Sequence, residues 1–230
     1  MYVPNYIPQP IEIAGNVAEA KWSDKLLYLR RFTLWTLWSL LLAVIFSQWI
    51  NFHVPLLAAT AMLVGSVTFL AIARNFTRNS TWEGWISIPL FVITLAFLGI
   101  FSIQMTAVGW PIGSAIVGIS CASLYAYFCG RDFSFIGQWV LSLIVSNVAL
   151  ASYCLVHHIS TFQSAHSLVI NSVILTYFCY DSASIMSRRR IGEESLASID
   201  LYRDVLNFFG YSVRCWQHWK RHQIWTFRKS

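Results

Sequence analysis

Six apolar runs of about 20 residues, free of Lys, Arg, Glu and Asp except for Asp181 in the sixth, constrain this chain more than any other feature. They cover 33–52, 54–73, 85–105, 111–130, 136–156 and 165–186. At about 1.5 Å per residue, each is long enough as a helix to cross a hydrocarbon core roughly 30 Å thick. In lipid every backbone N–H and C=O has to be paired within its own segment, and these runs are too long for barrel strands, so helices follow. A seventh segment, 196–214, is apolar in outline but carries Asp200, Arg203 and Asp204, and it persists only if most of it is kept from lipid. Composition agrees: 57% of residues are hydrophobic and 11% charged, against about 25% charged in a soluble domain. The expected fold is an all-α integral membrane protein, a seven-transmembrane-helix bundle. It forms one domain over 33–214, between a cytosolic or interfacial arm at 1–32 and a basic aromatic tail at 215–230.

The cations give an orientation. Lys21, Lys25, Arg30 and Arg31 precede the first run, Arg74 and Arg78 follow the second, Arg131 the fourth, and Arg188, Arg189 and Arg190 the sixth. The other connections among these six carry no Lys or Arg, which by the positive-inside rule places the N-terminus and the even-numbered loops in the cytosol. Seven full crossings would then leave Arg214, Lys220, Arg221, Arg228 and Lys229 on the far side, against the same rule. Either the last segment enters and returns, or it crosses and the earlier helices dominate; both remain open. Trp216, Trp219 and Trp225 among those cations suit an interfacial segment on anionic lipid better than a nucleic-acid patch.

Several function classes find little support. Residues 1–20 hold Pro4, Pro8, Pro10, Glu12 and Glu19 and lack a continuous apolar stretch, so the first span is expected to act as its own insertion signal. Five cysteines, Cys121, Cys129, Cys154, Cys179 and Cys215, lack metal spacing and read as small buried side chains. His157, His158 and His166 share a loop region, but adjacent histidines point apart on a helix and no nearby acid or cysteine completes a ligand set. Asn75-Phe76-Thr77 and Asn79-Ser80-Thr81 match glycosylation acceptors, yet the charge pattern puts them in the cytosol. No phosphate loop, dinucleotide fingerprint or nucleophile motif is present, so the chain is expected not to be an enzyme; a hydrolase built on a water-accessible acid pair is the enzymatic alternative.

Chemistry is therefore sought among the deep acids. An ionisable group at membrane depth is costly and marks a functional site by default. If Arg188 marks the inner end of the sixth helix, Asp181 lies about 10 Å along it; if the seventh begins near Ser195, Asp204 lies about 13 Å in, a similar depth. Two carboxylates together in low dielectric cannot both ionise cheaply, so a shared proton and a pH response follow. Asp200 sits one turn before Asp204 on the same face and reads as a solvated acid at the helix entrance, with pairing to Arg203 or to Arg188–Arg190 as the other reading. Arg203 reads as the only deep cation, either snorkelling toward the interface or Asp200, or acting as counter-ion to Asp181.

Three stretches occur in order: Arg131-Asp132-Phe133-Ser134-Phe135-Ile136-Gly137, then Tyr180-Asp181, then Leu201-Tyr202-Arg203-Asp204-Val205-Leu206-Asn207-Phe208-Phe209. Together they resemble the Bax inhibitor family of transmembrane proteins, most strongly over residues 131–209. The resemblance implies six helices around a central polar seventh, two aspartates forming a pH-sensing latch over a cation pathway, and a pH-regulated calcium leak in a bacterial plasma membrane or a eukaryotic organelle membrane. The matching positions are Asp181 and Asp204, with Asp200, Arg203, Asn207, Tyr180 and Tyr202 as supporting residues. One departure is visible: the second run lacks the mid-helix arginine that family members can carry, and Arg74 lies at its end. The expectation is a pH-sensitive calcium leak channel-like protein without a resident cofactor, in which Asp181 and Asp204 hold Ca²⁺ weakly in transit. The partners expected are the bilayer, anionic lipid at the tail and other membrane proteins. The alternative is a non-catalytic structural or regulatory subunit of a larger membrane complex that retains the same fold.

Overall fold

The computed structural model describes residues 13–50, 54–77 and 80–206. Seven helices run through them: α1 Trp22–Trp49, α2 Leu56–Thr77, α3 Glu83–Ala107, α4 Ala115–Cys129, α5 Ile136–Val156, α6 Thr161–Arg188 and α7 Glu194–Leu206. No strand occurs among the described residues. The first six helices, α4 together with the short turn before it, are long and apolar enough to cross a membrane, which makes this a multi-pass membrane protein.

The distribution of side chains is that of a protein solvated by lipid. Leu57, Phe69, Val148 and Val169 are exposed on the outside, while Thr36, Ser87, Ser146 and Asn171 are buried inside. With no hydrophobic drive to associate helices within lipid, small residues that allow close approach and internal hydrogen bonds take over that role. Gly99 of α3 illustrates it, since a Cβ there would lie 2.9 Å from the Ala43 carbonyl oxygen and 3.0 Å from the Ser47 nitrogen of α1. Gly118 does the same for α4 against Ser146 of α5, at 2.8 Å from its Cβ.

Helix ends differ in how closely they follow the apolar runs. The fifth run coincides with α5, but α1 begins at Trp22, well before residue 33. Its extra turns bury Tyr28, Leu29 and Phe32 while leaving Arg30 and Arg31 exposed, so amphipathic packing extends the helix beyond its uncharged stretch. Ahead of it, Val17–Glu19 forms a single 3₁₀ turn capped by Asn16. This arm lies on the end of α6: the Ile13 N–H donates to the Ser187 carbonyl (3.3 Å) and the Val17 N–H to the Arg189 carbonyl (3.0 Å).

The helix α7 packs against α1, α2, α3 and α6, and α4 and α5 pack on α6. The described part of α7, rich in charge, is held by its neighbours rather than by lipid, and Ala197, Ser198, Ile199, Asp200, Leu201, Tyr202 and Asp204 are all buried. Residues 207–214, the remainder of the expected seventh span, and the tail from 215 lie outside the described residues, as does Asn207.

Candidate functional site: a buried arginine–carboxylate cluster

The site forms where α6 ends. Arg189 leaves the helix in extended conformation (φ −131°, ψ 154°), and Gly192, at φ 96°, takes a left-handed turn that suits a residue without Cβ. The chain reverses within 189–193, and α7 returns beside α6 carrying Asp200 and Asp204.

Arg188 occupies the centre. Its Nη2 donates to Asp181 Oδ1 at 2.6 Å and to Ser184 Oγ at 2.8 Å, and its Nη1 donates to Asp204 Oδ2 at 2.8 Å. Asp181 is 4% exposed and Asp204 2%. One guanidinium therefore joins the two aspartates on which the family resemblance rests, across two helices. Arg203 caps the other Asp204 oxygen (Nη2–Oδ1 2.9 Å, Nε–Oδ1 3.1 Å) and also reaches Asp200 Oδ1 at 3.2 Å.

Asp200 is a second hub. Arg74 of α2 contacts its Oδ1 through Nη2 (2.6 Å) and Nε (3.1 Å), while Arg189 forks onto Oδ2 through Nη2 and Nε. Arg74 continues to Glu83 Oε1 of α3 at 2.7 Å, and Arg189 lies 3.7 Å from the same oxygen and 3.4 Å from Glu193. Burial disfavours the charge of Arg189, but Asp200 and the neighbouring acids outweigh it and raise its pKa. Four arginines, Arg74, Arg188, Arg189 and Arg203, thus face four buried carboxylates, Glu83, Asp181, Asp200 and Asp204. Buried charges are tolerated only when paired and hydrogen-bonded in this way, and forked arginine contacts are among the strongest available.

Two readings of the sequence are corrected by this geometry. Asp200 is not a solvated acid at the helix entrance but a buried hub, 7% exposed, held by Arg74, Arg189 and Arg203. Arg203 is not the only deep cation, and it turns to Asp204 and Asp200 while Asp181 takes Arg188 as its counter-ion. Arg74 belongs to the last turn of α2 and is 3% exposed, so the second helix does contribute an arginine to the acids.

Among the supporting residues, Tyr202 anchors α7 on both sides. Its hydroxyl accepts from Ser39 Oγ of α1 at 3.0 Å and its ring meets Phe91 of α3 edge-on at 5.2 Å between centroids. Tyr180 is half-buried on α6 beside Asp181. In the 131–137 loop, Asp132 Oδ1 accepts from the Ser134 N–H, and Phe133 is wedged edge-on between Phe32 of α1 (6.1 Å) and Phe178 of α6 (5.6 Å). That loop braces the helix carrying Asp181.

Among the described residues no group of three or more His, Cys, Asp or Glu side chains is placed to hold a metal ion. His166 lies against the rings of Phe162 and Trp110, at 4.1 and 5.5 Å between centroids, and His157 meets Tyr153 at a tilt of 34° and 4.2 Å between centroids. Of the cysteines, Cys154 and Cys179 are buried and Cys121 is half-buried, whereas Cys129 is exposed on the outside of α4 rather than buried; Cys215 lies outside the described residues. Comparisons with protein-family models, with curated proteins and with solved structures found no match. The likeness to the Bax inhibitor family accordingly stands on the three sequence stretches alone.

Proposed function

We propose that this protein is a pH-sensitive cation leak channel of the Bax inhibitor type, with calcium as its ion, in which α7 plugs a bundle of six helices. The single observation that carries the reading is the bridge Asp181–Arg188–Asp204, one guanidinium shared by two buried carboxylates on different helices. A bridge of this kind is a two-state element. With both acids ionised, Arg188 holds α7 against α6; protonating either acid removes one of its two charged contacts, and displacing Arg188 uncovers one oxygen of each, Arg203 remaining on the other Asp204 oxygen. Freed, they offer hard oxygen ligands of the type Ca²⁺ selects, too few to trap it and enough to let it pass. The latch differs from a simple shared proton because an arginine supplies the positive charge between the acids.

In this reading the N-terminus faces the cytosol, the arginine cluster lies at the cytosolic end, and the membrane is a bacterial plasma membrane or that of a eukaryotic organelle. The basic aromatic tail rests on anionic lipid. Calcium flux from liposomes containing the purified protein, followed from neutral pH downward, tests the proposal, because the arginines beside both acids favour their ionised forms and place any response on the acid side. The wild type is expected to show a pH-dependent flux that Asp181→Asn abolishes or renders independent of pH. An unchanged pH profile in that variant would remove the latch.

A second reading has its own support. Each of the four buried carboxylates is paired with at least one arginine, as in a fixed staple for α7. The protein would then be a structural or regulatory subunit of a membrane complex, and its liposomes would show no flux at any pH.

A further inference from the structure

Two grooves between neighbouring helices end differently. One, between α5 and α6, is lined by Ala151, Cys154, Leu155 and Leu168 and ends at His158 and Thr161, with no lysine or arginine in its wall. The other, of about 480 Å³ between α4 and α5, is lined by Val117, Cys121, Leu124, Tyr125 and Phe128 of α4 and by Leu141 of α5. The α4 positions recur at i, i+4, i+7, i+8 and i+11, a single stripe of a helix. Val117, Leu124, Phe128 and Leu141 are exposed, as side chains facing lipid are. From Val117 to Phe128 the stripe runs about 16 Å, close to one leaflet of a hydrocarbon core roughly 30 Å thick.

A cation stands at the end of this second groove. Gly130, at φ 65°, ends α4 with its N–H on the Ala126 carbonyl (3.0 Å) and turns the chain into the connection to α5. The turn brings Phe135 back onto Tyr125 of the groove, stacked at 6.1 Å between centroids and 20° between planes, and the Arg131 guanidinium carbon lies 4.8 Å from the centre of the Phe135 ring. Arg131 is the first charged residue after the fourth span, and it is exposed. Among the described residues it has no ion-pair partner, in contrast to Arg74, Arg188, Arg189 and Arg203. Its neighbour Asp132 turns to Ser134, whose N–H and Oγ donate to Asp132 Oδ1 at 3.2 and 2.5 Å. An apolar groove one leaflet long therefore leads to an arginine whose charge the protein leaves unmatched.

We propose that the α4–α5 groove and Arg131 bind one anionic phospholipid, with its phosphate on the Arg131 guanidinium and an acyl chain along residues 117–128. The charge decides the headgroup. A guanidinium presents forked donors that match phosphate oxygens, and a cation at the membrane boundary attracts anionic lipid. A zwitterionic headgroup would bring a second cation to a place that already holds one. The site is separate from the arginine–carboxylate cluster and does not depend on whether the protein conducts calcium.

Photocrosslinking tests the site. The full chain in phosphatidylcholine vesicles is labelled with phosphatidylglycerol or phosphatidylcholine carrying a diazirine in one acyl chain, and the labelled peptides are mapped by mass spectrometry. Labelling of residues 117–141 should be several-fold stronger from the phosphatidylglycerol probe, whereas residues 151–168 of the α5–α6 groove should take up the two probes about equally. Arg131 is exposed, so its replacement leaves the core intact; Arg131→Gln should bring the two probes level at 117–141, and Arg131→Lys should keep part of the preference. Leu124→Trp, which narrows the groove and leaves Arg131 in place, should lower labelling by the phosphatidylglycerol probe there. Equal labelling of 117–141 by the two probes in the wild type, a preference just as large at 151–168, or one that survives Arg131→Gln overturns the proposal.

Discussion

Arg188 shows why the acids of this site were legible in the sequence and their partner was not. An acid within an apolar run stands out by itself, and Asp181 does. An arginine at the end of the same run reads as a topological marker, because snorkelling and the positive-inside rule already account for it. The overlooked signal is directional. Side chains on a helix tilt toward its N-terminus, so a long residue at the C-terminal end covers the turns before it, and Arg188 reaches Asp181 seven positions back. Arg74, at the end of its own apolar run, reads as a marker in the same way, and its partner Glu83 opens α3 just before the third run begins. The pairing is measurable. Arg188→Gln removes the guanidinium that joins Asp181 to Asp204 and should cost about 3 kcal/mol or more in unfolding of the purified protein. Adding Asp181→Asn should recover part of that loss, because one of the two acids then no longer needs a counter-charge; strictly additive effects in the cycle would mean that the two residues do not form the pair.

At the scale of elements, apolar length located the six long apolar helices among the described residues, and α5 matches its run end for end, whereas α1 exceeds its own because buried faces continue past the first charged residues. Close helix contacts were not legible, since a glycine in an apolar run gives no hint of what faces it. Gly99→Ala should destabilise by about 1–3 kcal/mol, as the added Cβ meets α1 backbone that cannot swing aside; an unaltered melting temperature would show that α1 and α3 are not locked there. The arm before α1 has a role that composition did not suggest. Its hydrogen bonds to the Ser187 and Arg189 carbonyls flank Arg188, and Asn16 holds the arm in shape by accepting from the Glu19 N–H (3.1 Å) and donating to the Ile13 carbonyl (2.9 Å). Asn16→Ala should cost about 1 kcal/mol and speed amide hydrogen exchange at Ile13 and Val17. Exchange as slow as in the wild type would mean the arm is held by something else.

For the whole molecule, the sequence announced a polytopic helical protein with ionisable groups inside, and the structure adds that these groups close on one another at the α6–α7 reversal. The architecture was legible because length and apolarity are one-dimensional properties; the network was not, because it joins α2, α3, α6 and α7 through side chains far apart in the chain. Three of the arginines that gave the orientation, Arg74, Arg188 and Arg189, are spent inside ion pairs, so the sidedness rests more heavily on Lys21, Lys25, Arg30, Arg31 and Arg131. Cysteines introduced at Ser80 and His158 should label from opposite faces of intact vesicles, and labelling from one face would overturn the assignment of sides. The central claim is that the Arg188 bridge keeps a cation path shut, and calcium uptake into liposomes bearing Arg188→Gln tests it most directly. With folding checked by the elution profile, the variant should admit calcium faster than the wild type at neutral pH and lose the pH dependence. Uptake by both proteins equal to that of protein-free liposomes would contradict it.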